Sequence, residues 1–268
     1  MHSREIRDFK LNNFDEWATI YDDVYQNLNH DIPFYLQQAI ISGGPILELG
    51  CGTGRISISL ASQGFEVVGI DISGAMIEKA KEKALEQGPL PHLSFYEKDM
   101  RFLNFDRLFN LIIIPFRSLM LIDNAPDQQT TLLQAAKHLK KNGRLVFDLF
   151  NPSPELLADN DPSPFLVSDF PLKPEGSVKV FASNEWDHEN QHSMPNLWIE
   201  VFDNSGDLVS SYYQKLKMRY LFVEETIQML ASAGLKVDAT YGGFNGEFLD
   251  NVSEDQAWVC TPDGSLKT

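Results

Sequence analysis

At 268 residues, with 43% apolar and 22% charged side chains, the chain has the length of one large domain and a composition that fits neither a disordered nor a fibrous class. A formal net charge of -16 argues against nucleic acid as a partner, because affinity for a phosphate backbone comes largely from Lys and Arg displacing counterions. Cys51 and Cys260 have no metal-ligand spacing and make no disulfide framework, so a reducing cytoplasm is the expected compartment and no metal is expected.

The first residues, Met1 to Trp17, are polar and charged, and no run of about 18 apolar residues occurs in the chain, so neither export nor membrane anchoring is expected. In WATIYDDVYQN, the residues Trp17, Tyr21 and Tyr25 can form a lid over a site or pack a helix face on the core. From Pro45 to Leu149, β-rich runs alternate with segments of helical period, the pattern of parallel strands joined by helical crossovers. Strands are predicted at Ile46 to Leu49, Glu66 to Asp71, His92 to Glu97, Leu111 to Pro115 and Arg144 to Leu149, with the apolar runs after Leu111 and Leu145 suited to buried positions. Ser73 is predicted to cap a helix that turns Met76, Ile77, Ala80 and Ala84 inward and stops at Gly88-Pro89. Asp127 is predicted to begin another, burying Leu132, Leu133, Ala136 and Leu139 and ending at Asn142-Gly143.

Beyond Phe150 the prolines at Pro152, Pro154, Pro162 and Pro164 predict a loop. Alternating runs from Val178 to Tyr220, broken by Asn204-Ser205-Gly206, predict an antiparallel insert with a hairpin turn. A helix from about Val223 to Ala233, stopped by Gly234, and strands at Leu235 to Tyr241 and Ala257 to Cys260 complete the pattern. The expected fold is α/β: a doubly wound, mostly parallel seven-stranded sheet with an antiparallel β insert. A single domain over 1–268 is expected, with an N-terminal helical cap (1–44), a core (45–151 and 222–268) and an insert or lid (152–221).

The segment ILELGCGTGR, Ile46 to Arg55, sits between a predicted buried strand and a helix. Gly50, Gly52 and Gly54 let the chain turn sharply and let backbone amides approach a ligand, although an ordinary strand-to-helix turn can also be glycine-rich. Asp71 ends the next strand, where a carboxylate can accept both hydroxyls of a ribose or, alternatively, cap the helix that follows. A dinucleotide fingerprint needs a third glycine where this chain has Arg55 or Ser57, which weakens a reading as an NAD-dependent oxidoreductase.

Glu48, the loop Gly50-Gly52-Gly54 and Asp71 resemble the first two motifs of class I S-adenosylmethionine-dependent methyltransferases. Further matches lie at YEKDM (Tyr96 to Met100), NLIIIPFRSLMLI (Asn110 to Ile122) and NGRLVFDLFNP (Asn142 to Pro152). The resemblance implies a Rossmann-like fold with S-adenosyl-L-methionine as cofactor. It implies that Asp99 accepts the adenine amino group, Met100 and Ile72 border the ring, and the backbone near Pro115 lies beside the methionine moiety. Glu48 would organise the loop and reach the methionine ammonium, and Tyr21 would close over the cofactor. The cofactor site expected in this way comprises Glu48, Gly50, Cys51, Gly52, Gly54, Asp71, Ile72, Met76, Asp99, Met100, Pro115 and Tyr21. Asp99 taken alone is equally a solvated loop acid.

Methyl transfer from a sulfonium is an in-line displacement that needs mainly proximity and orientation, and a general base is optional. Substrate-facing residues are expected beyond strand ends, at Phe116, Arg117, Phe150 and Asn151. Arg117 can bind an acidic group or form a surface salt bridge, and with Tyr21 it is the candidate for a catalytic role. His188 and His192 can enter from the insert as bases or be solvated turn residues. Ile114-Pro115-Phe116-Arg117 stands where DNA-adenine and glutamine N-methyltransferases carry an Asn-Pro-Pro-Tyr type motif, so methylation of N or O on a small acceptor is expected. A non-catalytic S-adenosylmethionine-binding protein is the other reading, and a homodimer through the insert is left open.

Overall fold

The computed structural model describes residues 5–159, 161–172 and 176–264; Met1–Arg4, Asn160, Lys173–Glu175 and Ser265–Thr268, which fall in the expected cap, insert and core, lie outside the described residues. The strands are β1 (Glu5–Asp8), β2 (Ile46–Leu49), β3 (Val67–Asp71), β4 (Leu93–Glu97), β5 (Phe109–Ile114), β6 (Leu139–Phe150), β7 (Phe165–Pro171), β8 (Ser177–Asp187), β9 (His192–Phe202), β10 (Leu208–Lys215), β11 (Met218–Arg219), β12 (Leu235–Tyr241) and β13 (Asp255–Pro262). The helices are α1 (Phe14–Trp17), α2 (Tyr21–Val24), α3 (Ile32–Ser42), α4 (Arg55–Ser62), α5 (Gly74–Glu86), α6 (Ala125–His138), α7 (Pro154–Ala158) and α8 (Val223–Ser232).

Among the described residues, seven strands form the main sheet in the order β12-β13-β6-β5-β2-β3-β4, parallel except where β13 pairs antiparallel with β6 and β12. Strand alternation divides the core between the two faces. Leu47, Leu49, Ile112, Ile114 and Phe147 pack against α6 and α8, while Ile46, Leu111, Ile113 and Val146 pack against α3 and α4. The chain steps outward from β2 to β3 and β4, then returns to β5 on the other side of β2. That reversal opens a crevice at the carboxyl ends of β2 and β5, where ligands of open α/β sheets bind.

A second, six-stranded sheet is formed by β7 to β10 in antiparallel succession, with β11 pairing β9 and β1 pairing β10 in parallel. Its hairpin turns where predicted, with Gly206 N bonded to Asp203 O. The cap is therefore not only helical: it begins with a strand that pairs the open edge of β10 and so satisfies backbone groups that an edge leaves bare.

Three local expectations are corrected. Asn124, not Asp127, caps α6, accepting from Asp127 N at 2.9 Å. Asn142-Gly143 does not end that helix; Leu139 already pairs Phe109, and the next pair is Arg144 with Leu111, so Lys140 to Gly143 loop out of β6. Gly143 suits this excursion because a Cβ there would meet Phe109 O at 2.9 Å. The proline-rich loop also contains α7, since Pro154 lies in its first turn, where a missing N–H costs nothing, and Ser153 Oγ caps Leu156 N.

Candidate active site

Gly50 and Cys51 extend β2 into a turn, and both amides donate to Ile70 O, at 2.8 and 2.9 Å. Gly50 and Gly52 lie in the left-handed region, at φ 74° and 53°. A Cβ on Gly50 would come within 2.8 Å of Ser118 Cβ, so this glycine lets the loop close on the turn after β5. A Cβ on Gly52 would meet nothing within 4 Å, and Gly52 lines a cavity of about 440 Å³ at the crevice. Asp71 lines the same cavity; its Oδ2 accepts from Gly52 N at 2.8 Å and its Oδ1 from Ser73 N at 2.9 Å. Burial raises its pKa, opposed by those two amides. Ser73 Oγ, accepting from Met76 N at 3.1 Å, takes the side-chain cap of α5.

Ile72, Met76, Asp99 and Met100 join Gly50, Gly52 and Asp71 in the cavity wall. Ile72 is 62% exposed and so offers an uncovered apolar face, whereas Met76 is buried in a cluster with Phe9 and Trp17. Asp99 is already occupied: Arg101 donates to it from its backbone N, Nε and Nη2, and Arg101 Nη1 reaches Asp127 at 2.6 Å. Burial raises the Asp99 pKa, but the Arg101 bonds outweigh it and hold the carboxyl below its ordinary value.

Four expected members do not line the cavity: Glu48, Cys51, Gly54 and Pro115. Cys51 turns into a cluster with Ile58, Ile77 and Phe95. Gly54 starts α4 under Phe95, where a Cβ would come within 2.8 Å of the ring, so it serves packing. Glu48 is buried and accepts from Ser57 Oγ, while Arg55 ion-pairs with Asp31; the two residues that break a dinucleotide fingerprint thus tie the loop to its surroundings. Burial pushes the Glu48 pKa up to about 8 against the Ser57 hydrogen bond and the Arg55 charge. A carboxyl with a raised folded-state pKa contributes its full stability below 4.5 and loses it as pH rises through about 8. Glu48→Gln is therefore expected to gain on the wild type by about 2–5 kcal/mol between about pH 4.5 and pH 9, measured by urea unfolding. Parallel stability curves for the two proteins would refute this.

The turn after β5 is shaped by a residue that the sequence reading missed. Asp148, 2% exposed on β6, accepts from Tyr35 OH at 2.5 Å, Phe116 N at 2.7 Å and Arg117 N at 2.9 Å. Phe116 and Arg117 both adopt positive φ, 54° and 59°. The available signal was a lone acid inside the apolar run LVFDLF. Both turn residues line the cavity, yet Arg117 Nη2 pairs with Asp255 at 2.7 Å, which supports its salt-bridge reading.

The N-terminal segment covers the crevice. Trp17, Tyr21 and Tyr25 all line the cavity, with Trp17 also buried against Phe9. Asp15 accepts from Ser73 Oγ at 2.6 Å, and Asp22 from Thr53 Oγ1 at 2.6 Å and Lys83 Nζ at 2.7 Å, latching the segment to the glycine loop and α5. Burial pushes Tyr25 up to about 12 and Tyr21 well above its ordinary value. Phe150 and Asn151 are not in the wall: Phe150 packs on Trp186 and Tyr220, and the Asn151 amide donates to Asp250 O and Ser253 O. His188 and His192 are also outside it. His192 is a buried strand residue whose Nε2 lies 2.8 Å from Asp123 O, so it ties insert to core. Among the described residues no cluster of metal-binding side chains occurs, and no helix is long and apolar enough to cross a membrane.

A family model described as "Methyltransferase domain" matches residues 46–143, from β2 into β6. The chain is 35% identical over 135 residues to YqeM of Bacillus subtilis, covering 50% of this chain and 53% of that one, so it spans about half of that relative's length. It is 25% identical over 207 residues to a cypemycin N-terminal methyltransferase of Streptomyces, covering 77% and 78% of the two chains. The solved structure of CalS10, an amino pentose methyltransferase from Micromonospora echinaspora with S-adenosylmethionine bound, superposes with a TM-score of 0.72 at 19% identity, over 91% of this chain and 96% of that one. These matches identify a methyltransferase domain over residues 46–143 and a fold shared with methyltransferases, in which the glycine loop and Asp71 stand in one cavity wall.

Proposed function

We propose that this chain transfers the methyl group of S-adenosylmethionine to a nitrogen or oxygen of a small-molecule acceptor. The observation that carries this reading is the concave lining of the crevice: the glycine loop and Asp71 share one cavity with aromatic residues of the N-terminal segment and apolar residues of the insert. A volume of about 440 Å³ falls in the range of small-molecule sites, whereas a macromolecular acceptor calls for an open face. The name of the cypemycin N-terminal methyltransferase, 25% identical over 207 residues, supports a nitrogen acceptor, and the proposal includes oxygen acceptors.

The residues present suit the cofactor. Asp71 offers a carboxylate for a ribose, Ile72 and Met100 an apolar slot for adenine, and Gly52 backbone access without a side chain. Asp99 would serve adenine only by sharing or exchanging its bonds to Arg101. When bound, the cofactor supplies a methyl carbon made electrophilic by its sulfonium. The chain's own contribution is placement: the Phe116-Arg117 turn and the tyrosines hold the acceptor in line, and the N-terminal segment over the crevice excludes water.

Two measurements test the reading. Asp71→Ala is expected to weaken S-adenosylhomocysteine binding by about 10- to 150-fold, the loss of a charge-assisted partner of roughly 1.5 to 3 kcal/mol. Because Asp71 also holds Gly52 N and Ser73 N, a loss of stability should accompany it; unchanged calorimetric affinity would remove Asp71 from the site. For the reaction, labelled S-adenosylmethionine is incubated in parallel with metabolite, protein and nucleic-acid pools. Label in the metabolite pool supports the proposal, and label confined to macromolecules defeats it.

A further inference from the structure

We propose that the acceptor is an uncharged small molecule with an apolar body, seated against Pro195, Leu197, Leu216 and Met218 of the insert and Leu121 and Ile122 of the core. This rests on the small-molecule methyltransfer reading and names its substrate class. These six side chains line the same cavity as the glycine loop, but they come from segments that carry neither that loop nor Asp71 and Asp99. They therefore supply an apolar part of the cavity lining from segments other than those that carry the glycine loop and the two acids.

The charged and polar groups bordering this wall are matched within the protein. Asp123 is paired with Lys217 Nζ at 3.2 Å, and Arg117 with Asp255 at 2.7 Å. Arg101 spans Asp99 and Asp127, each at 2.6 Å. Asn12 exchanges two hydrogen bonds with the backbone of Lys217, at 3.0 and 2.8 Å. On the cofactor side, Lys98 Nζ donates to Asn104 at 2.7 Å and lies over the Phe105 ring. An ionic acceptor placed on the insert wall would lose its water without gaining a counter-charge, and an unpaired buried ion is far costlier than a buried apolar group is favourable. An apolar body gains about 25 cal/mol for each Å² removed from water.

Among the described residues, the hydroxyls of Tyr21 and Tyr25 make no hydrogen bond to the protein, although both residues line the cavity. Tyr25 stands edge-on to Phe116 with ring centroids 5.2 Å apart, at the turn after β5. A phenol there can exchange one hydrogen bond with a neutral nitrogen or oxygen, which positions a reacting atom without demanding charge on it. The wall thus sorts acceptors by charge as well as by size.

The test is calorimetric titration of the S-adenosylhomocysteine-loaded protein at about pH 7.5 with three probes of similar shape: 4-propylaniline, the ammonium form of 4-propylbenzylamine, and 4-propylbenzoate. The uncharged aniline is expected to bind at least about tenfold more tightly than either ion, or about 1.4 kcal/mol. Leu197→Glu and, separately, Met218→Glu, each checked for folding by thermal unfolding, should weaken aniline binding at least about tenfold and strengthen binding of the ammonium. The inference is overturned if an ionic probe binds the wild type as tightly as the aniline, if the aniline fails to bind at millimolar concentration, or if folded variants keep the wild-type order. These outcomes are independent of the labelling experiment: label confined to macromolecules sinks the small-molecule reading, whereas an ionic probe that wins sinks only the uncharged class.

Discussion

Asp148→Ala is expected to lower the unfolding free energy by about 3–5 kcal/mol, because it strips a buried acceptor from three donors at once. Tyr35 OH would lose its partner in the core, and the amides of Phe116 and Arg117 would be left without theirs while both residues hold left-handed backbone. Each such conformation costs a non-glycine residue about 1–2 kcal/mol, so the turn should relax once its anchor is gone. Cofactor and acceptor affinity should then fall together, since both turn residues line the cavity. Asp148→Asn keeps one acceptor oxygen and should fall between the two. The pH dependence has a definite sign. Burial raises the Asp148 pKa to about 6 despite the Tyr35 hydrogen bond, so its contribution is complete below 3.8 and declines as pH rises through about 6. That slope should be missing from the alanine variant. Urea unfolding from about pH 3.5 to 8 checks both statements, and a loss below about 1 kcal/mol at pH 7 would show that the turn does not depend on Asp148.

Gly52→Val is expected to fold and to bind S-adenosylhomocysteine at least about a hundredfold more weakly, a loss near 2.7 kcal/mol. At φ 53° a β-branched side chain is strained by about 1–3 kcal/mol, which should lower the melting temperature without abolishing the fold. The added Cβ meets no protein atom within 4 Å, so the core is not disturbed; the isopropyl group instead takes space in the cavity wall beside Asp71. Gly50 makes the contrasting case, because a Cβ there would press within 2.8 Å of Ser118 Cβ and damage packing first. Wild-type affinity in a folded Gly52→Val protein, measured by calorimetry, would reduce the loop to a simple turn.

Local and periodic features were legible in the sequence. Ile46–Leu49 and Leu235–Tyr241 are strands with the predicted bounds, because a short apolar run in the first and an apolar–polar alternation in the second, each next to glycine turns, leave little choice of state. Ser73 was recognisable as a cap because its bond to Met76 N spans only three residues. The placement of the loop after β2 and of Asp71 at the crevice was readable because glycine spacing and a strand-end acid report local backbone geometry.

Contacts between distant segments were not legible. Nothing in the sequence pairs Glu5 with Ser210, since an open sheet edge accepts any extended segment that the fold brings to it. Likewise Asp99 read as a free acceptor until Arg101 was found folded back onto it and across to Asp127. Asp148 read as a strand residue because its partners, Tyr35 and the amides after β5, are 113, 32 and 31 residues away. Arg117 read equally as an anion binder and as a surface ion until Asp255, on the antiparallel strand β13, was placed beside it. The sequence by itself determined most elements of the main sheet, the glycine loop and the acid that lines the cavity beside it, all consequences of short-range backbone preference and hydrophobic period. Only the tertiary structure decided which charges are already paired, which hydroxyls remain available and which walls of the cavity are apolar, because those depend on long-range packing that brings separate strands and the insert to one place.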